Sequence, residues 1–118
     1  MAQYMLLLHD SPQDFADVSL EDMQGIIAEY TAWREKLASE GRLVDGKKLA
    51  DEGGKALSMK NGSVSVVDGP YSEAKEVLGG YFTIEAADYD EAVAISQDCP
   101  HLKYGERIEL RAVDPMHD

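Results

Sequence analysis

The period of the apolar residues changes several times along the chain, and each change marks an element. Tyr4-Met5-Leu6-Leu7-Leu8 is a continuous apolar run closed by His9-Asp10-Ser11-Pro12. A short run without alternation predicts a strand covered on both faces. The spacing then lengthens. Leu20, Met23, Ile26, Ile27, Tyr30, Trp33 and Leu37 recur every three or four residues, as on an amphipathic helix. Ser19 stands at the N-cap position, Glu21 and Asp22 put negative charge in the first turn, and Gly41 suits the left-handed residue that closes a helix. Leu43-Val44 and Leu49-Ala50 flank Asp45-Gly46-Lys47-Lys48 and predict an irregular or bulged extended segment. Residues 56–59 and 63–67 are short β-like runs joined across Lys60-Asn61-Gly62, and an Asn-Gly pair in that setting predicts a hairpin.

The most unusual stretch comes next. Asp68-Gly69-Pro70 reads as a turn, residues 72–77 as a charged loop with room for a helical turn, and Gly79-Gly80 as the opening of a strand over 80–86. Glycines there point to a bulge or to the close approach of a backbone or ligand. Asp88-Tyr89-Asp90-Glu91 is a capping-box start. Ala92, Val93, Ile95, Ser96 and Cys99 supply the buried side of a second helix that Pro100 stops, residues 108–112 alternate as a last strand, and 114–118 form a polar tail. The predicted order is strand, helix, strand, hairpin, strand, helix, strand. That is an α+β, ferredoxin-like split βαβ arrangement with an extra β-hairpin, as a single domain over residues 1–118. Two helices cover one face of such a sheet. Apolar bulk on both sides of the first strand, and at Tyr81, Phe82 and Ile84, predicts a second copy on the other face.

Composition narrows the function classes. At 118 residues the chain can bury roughly two-thirds of its unfolded surface. Its net charge of −12 argues against nucleic-acid and anionic-membrane partners, which need clustered Lys and Arg. Cys99 is the one cysteine, so no intrachain disulfide forms; it reads as a small buried apolar residue in a reducing compartment. The start has no basic region and no apolar run near the ~18 residues of a membrane span, which makes a cytoplasmic location the expectation.

Candidate chemistry is sparse. His9 and His101 suit proton transfer near neutral pH, His9 being beside Asp10 at a strand end; the plainer reading of both is an ordinary loop residue. His117 sits in the tail. Asp68 either caps its own turn or, with Glu73, serves as a base, while Lys75 or Arg111 holds an anionic ligand. Tyr71 and Tyr81 would then form aromatic walls, the alternative being packing at an edge or interface. No metal site is expected, because no His or Cys residues stand at ligand spacing and Asp88, Asp90 and Glu91 are explained by capping. A phosphate-cradling glycine loop and a nucleophile elbow are also absent from the sequence.

Asp68-Gly69-Pro70-Tyr71, followed by Glu73, Lys75-Glu76, Leu78-Gly79-Gly80-Tyr81, Ile84-Glu85, Asp88 and Asp90-Glu91-Ala92, resembles the YCII-related proteins of the DGPF type. These small bacterial proteins are named for an Asp-Gly-Pro-Phe motif, and Tyr71 stands here where the phenylalanine would be. Tyr4-Met5-Leu6-Leu7 and Glu109-Leu110-Arg111-Ala112-Val113 extend the resemblance over nearly the whole chain. It implies a dimeric α+β barrel with two sheets face to face. On that fold, decarboxylating, isomerising and dehalogenating enzymes act on small, often cyclic or aromatic acids. The implied function is binding of such an acid in a pocket reached past Asp68, Gly69, Pro70 and Tyr71, with Lys75, Gly80, Tyr81 and Arg111 as further binding residues. Cofactor-free proton transfer by His9, Asp68 or Glu73 would follow. The alternative is a non-catalytic accessory module linked to sigma-factor-type transcriptional regulation. Some relatives are thought to pair an aspartate with a histidine on the first helix. Residues 20–40 hold no histidine, and Tyr30 or Trp33 occupies that region, so the pair is not carried over.

Overall fold

The computed structural model describes residues 1–11, 18–69 and 76–117. Four strands, β1 (Ala2–Asp10), β2 (Leu43–Lys48), β5 (Val77–Ala86) and β6 (Arg107–Ala112), form one sheet in the order β2-β5-β1-β6, all neighbours antiparallel. Helices α1 (Leu20–Ser39), α2 (Tyr89–Ser96) and the short α3 (Pro100–Lys103) pack on one face of it. This is the α+β, ferredoxin-like arrangement that the order of elements predicts. Strands β3 (Lys55–Lys60) and β4 (Ser63–Asp68) pair separately as a two-stranded ribbon inserted between β2 and β5.

The helices form where the capping residues place them. Ser19 Oγ accepts the Asp22 amide at 3.1 Å, and Gly41 takes φ +73° just past the end of α1. Asp88 Oδ1 accepts the Glu91 amide at 2.9 Å while the Glu91 carboxylate reaches back to the Ala87 amide at 3.1 Å. The ribbon turns through Asn61 at φ 51° and Gly62 at φ 81°, both left-handed as a tight two-residue hairpin requires.

The core lies between the sheet and the helices. Tyr4, Leu6, Leu8, Phe82, Ile84 and Ala86 come from the two central strands; Trp33, Leu37 and Ala92 come down from the helices, with Cys99 beside them. Trp33 stacks edge-on against Phe82 with ring centroids 5.2 Å apart and donates its indole N–H to Asp98 at 2.9 Å, so its polar atom is satisfied.

Within the chain the helices cover one face of β1, as two helices must: Tyr4, Leu6 and Leu8 on the even-numbered side are buried, while Met5 and Leu7 on the other are half-buried. Two expectations change. Pro100 does not stop the second helix. α2 ends at Ser96, Cys99 caps the next turn, and Pro100 opens α3, where its missing N–H costs nothing. Finally, Gly79-Gly80 does not open its strand. β5 begins at Val77, and the pair sits inside it at a bulge where the β1 register shifts between Leu8 and His9.

Candidate functional site

At the C-terminal end of β1, four titratable side chains from three elements and an adjoining loop converge. Asp10 is the last residue of β1, Tyr30 comes from α1, His101 from α3, and Glu106 from the loop before β6. His101 is 2% exposed, and both its ring nitrogens are engaged. Nε2 lies 2.8 Å from the His9 carbonyl, which can only accept, so Nε2 carries a proton. With the ring neutral, Nδ1 must accept, and Tyr30 donates its hydroxyl to it at 2.8 Å.

The Asp10 carboxylate lies 3.6 Å from His101 Nε2, and its side chain is 30% exposed against 3% for the histidine. The acid is therefore the accessible member of the pair and the imidazole its support. Burial pushes the Asp10 carboxyl above its usual range, with His101 and Lys48 pulling the other way. Burial also raises the Tyr30 phenol, reinforced by the nearby acids, so it stays a proton donor. Glu106 is buried and accepts the Ser11 amide at 2.8 Å, while its own amide bonds the His101 carbonyl at 3.2 Å. It thus ties the chain after Asp10 to the α3 turn.

The glycine pair has a definite use here. A Cβ on Gly79 would fall 1.8 Å from Asp10 Oδ2, so the bulge leaves the space in which the carboxylate sits. A Cβ on Gly80 would fall 2.8 Å from the Lys47 carbonyl, so this glycine lets β2 approach β5.

The predicted site residues are distributed differently. His9 lies on the open sheet face with its ring 3.1 Å from Glu109, and its backbone carbonyl holds His101. Arg111 reaches the same Glu109 at 3.5 Å, and the Glu109 carboxyl is held below its usual range by His9 first and Arg111 after it. Tyr81 faces the same side and donates to Asp45 at 3.0 Å; the Gly46 amide and this hydroxyl hold the Asp45 carboxyl low. Asp68 is exposed at the base of the ribbon, ion-paired with Lys55 across the ladder, and Gly69 abuts the Gly53 carbonyl. Pro70, Tyr71, Glu73 and Lys75 lie outside the described residues. The structure thus brings His9, Tyr81 and Arg111 to one sheet face and leaves Asp68 and Gly69 on the ribbon.

The sequence marks His101 as a candidate without its partners: it places Asp10 beside His9, and Tyr30 on the apolar side of the first helix, in the region where some relatives are thought to carry a histidine. Separations of 91 residues between Asp10 and His101 and 71 between Tyr30 and His101 leave no local spacing to read. Cys99, beside this cluster, is buried and its thiol is pushed up to about 11, which keeps it protonated and inert. Among the described residues no cluster of three or more His, Cys, Asp or Glu is arranged to hold a metal ion.

A one-layer antiparallel sheet backed by helices, with a carboxyl–imidazole pair at the end of its first strand, defines a small α+β protein of ferredoxin-like fold. The chain belongs to the YCII-related family, whose model matches residues 2–117. It is 28% identical over 96 residues to an uncharacterised protein of Rhizobium meliloti, covering 80% of this chain and 77% of that one. Among solved structures it is similar to the 5-chloro-2-hydroxyhydroquinone dehydrochlorinase of Burkholderia phenoliruptrix in complex with 2,5-dihydroxybenzoquinone. That match has a TM-score of 0.50 and 18% identity, over 95% of this chain and 93% of that one. At that identity the likeness concerns the fold.

Proposed function

We propose that this protein binds a small, oxygen-rich cyclic or aromatic acid and transfers a proton on it without a cofactor, Asp10 being the group that meets the ligand. The observation that carries this reading is the Asp10–His101–Tyr30 chain. An accessible carboxyl with a raised pKa is backed by a buried imidazole, and that imidazole's tautomer is set by a phenol on one side and a backbone carbonyl on the other. The raised carboxyl keeps its proton to a higher pH than an exposed aspartate does. His101 stabilises the carboxylate once the proton has gone, and Tyr30 can turn from donor to acceptor if His101 takes up a proton at Nδ1. The similar dehydrochlorinase binds a dihydroxylated quinone, which supports a ring ligand of that class here.

The functional unit we envisage is a homodimer through the open sheet face, where Met5 and Leu7 are half-buried in the single chain. Among the described residues no helix is long and apolar enough to cross a membrane.

A thermal-shift titration with 2,5-dihydroxybenzoquinone and hydroxylated benzoic acids tests the reading. A ligand at 100 times its dissociation constant adds ~2.7 kcal/mol, a shift of several degrees. The expected result is a shift in the native protein that Asp10→Asn abolishes. A panel without any shift, or an undiminished shift in the variant, would overturn it, and silence would favour the accessory-module alternative.

A further inference from the structure

The β3–β4 ribbon carries its apolar face outward. Its register sets Leu57 opposite Val66 and Met59 opposite Val64, which puts all four side chains on one face. They are 66%, 57%, 68% and 60% exposed in that order, while Ala56 and Ser65 on the reverse face are half-buried. Among the described residues neither strand packs extensively on any other element. A lone two-stranded ribbon is marginal in water and is normally stabilised by a helix or a third strand on its apolar face. The molecule is correspondingly spread out: its radius of gyration is 16.3 Å, against roughly 13–14 Å for a compact chain of this length.

A matching surface lies on the same molecule. The first half of α1 shows Leu20 and Ile27 largely exposed, with Met23 half-buried between them, at helical positions that share one side. That stripe is roughly 10 Å long by the helical rise, enough to lie along a quartet spanning about 7 Å of ribbon. Charges are complementary. Lys60 stands at the turn of the ribbon and residues 56–67 contain no acid in a chain of net charge −12, Lys55 being paired with Asp68 at the base, whereas Glu21 and Asp22 border the helical stripe. Both surfaces leave the sheet at the same end, since α1 follows the C-terminus of β1 and the ribbon follows that of β2, whose Lys48 pairs with Gly80 as Leu8 does.

We infer that the ribbon is a clasp for a second copy of this chain, its Leu57, Met59, Val64 and Val66 face seating on the Leu20–Ile27 side of the partner's α1. Because each chain carries one ribbon and one stripe, a twofold pair makes the contact twice and leaves neither surface open. This inference does not depend on the proton-transfer reading.

The test is light scattering at micromolar concentration on the native protein and on a variant with Leu57, Met59, Val64 and Val66 all replaced by Thr. Threonine keeps the β-propensity of exposed positions, so the variant should fold. The expected results are a dimer for the native chain, a dimer weakened about tenfold or more over a dilution series, with unchanged circular dichroism, for the variant, and dissociation of the native dimer favoured by salt. Should the variant misfold, a chain carrying Val64→Cys and Ile27→Cys provides the second measurement. Under mild oxidation it should cross-link into dimers more efficiently than either single replacement, with buried Cys99 a silent background. A monomeric native protein would overturn the inference. So would a dimer whose dissociation constant the four threonines leave unchanged, and so would cross-linking no better in the pair than in the singles.

Discussion

At the scale of single residues, a short chain of groups has roles separable by substitution. Asp10→Asn keeps the shape of the side chain and removes its charge. A carboxyl whose folded pKa lies above its unfolded value binds more protons folded than unfolded. Its contribution to stability is therefore complete below the unfolded value and is lost as pH rises through the folded one. The melting midpoint of the variant should accordingly gain on that of the native protein as pH rises from 3 to 7; a gap that narrows would place the charge in a favourable site instead. Tyr30→Phe should leave the fold intact and remove the donor to Nδ1 of His101; the His9 carbonyl keeps the proton on Nε2, so the Nδ1 ¹⁵N resonance should move while Nε2–H stays. An unmoved Nδ1 resonance would show that the phenol does not donate to it. The two glycines should behave differently despite being adjacent. Gly79→Ala meets only the end of the Asp10 side chain and should cost about 1 kcal/mol or less while displacing that carboxylate and weakening ligand binding. Gly80→Ala meets the Lys47 backbone and should cost roughly 1–3 kcal/mol in a denaturant melt. The sequence shows why glycines sit there in general terms, a close approach, but not that one approach is by a carboxylate and the other by a strand. That distinction depends on the bulge.

At the scale of elements, local chemistry and tertiary packing divide the work unevenly. Ser19, Gly41, Asp88 and Glu91 cap the helices as their residue types predict, because a cap is satisfied by backbone groups two or three residues away. Asn61-Gly62 likewise turns the ribbon. Since that ribbon stands clear of the core, Gly62→Ala, forced to φ 81°, should cost about 1–2 kcal/mol locally. Hydrogen exchange should accelerate at ribbon amides with little change in β1 or β5; a global loss of protection would mean that the ribbon is integral to the cooperative unit. The sequence reads Pro100 as the end of the second helix, and the structure makes it the start of a third, for a physical reason. The same missing N–H that ends one helix is harmless at the first position of another, and only the chain reversal after Ser96 decides between them.

At the scale of the whole molecule, one sheet and one helical layer share a small core, and the stability of the chain hangs on few side chains. Leu37, 1% exposed between α1 and the sheet, should cost 2–5 kcal/mol when cut to Ala, a large share of the roughly 5–15 kcal/mol typical of a domain; a loss below 1 kcal/mol would mean that the site collapses around the cavity. The sequence by itself determined the α+β element order, the helix caps, the hairpin turn and the family, because each is written in contiguous residues or in periods of two and 3.6. It determined that Cys99 is buried and that the net charge is strongly negative. Only the tertiary structure decided which face of β1 the helices cover, where the glycine bulge falls, and that Asp10, Tyr30 and His101 meet. Those outcomes rest on contacts between residues 67 to 100 positions apart, for which no local pattern exists; they arise when antiparallel pairing of β1 with β5 and β6 brings the far ends of the chain to one end of one sheet.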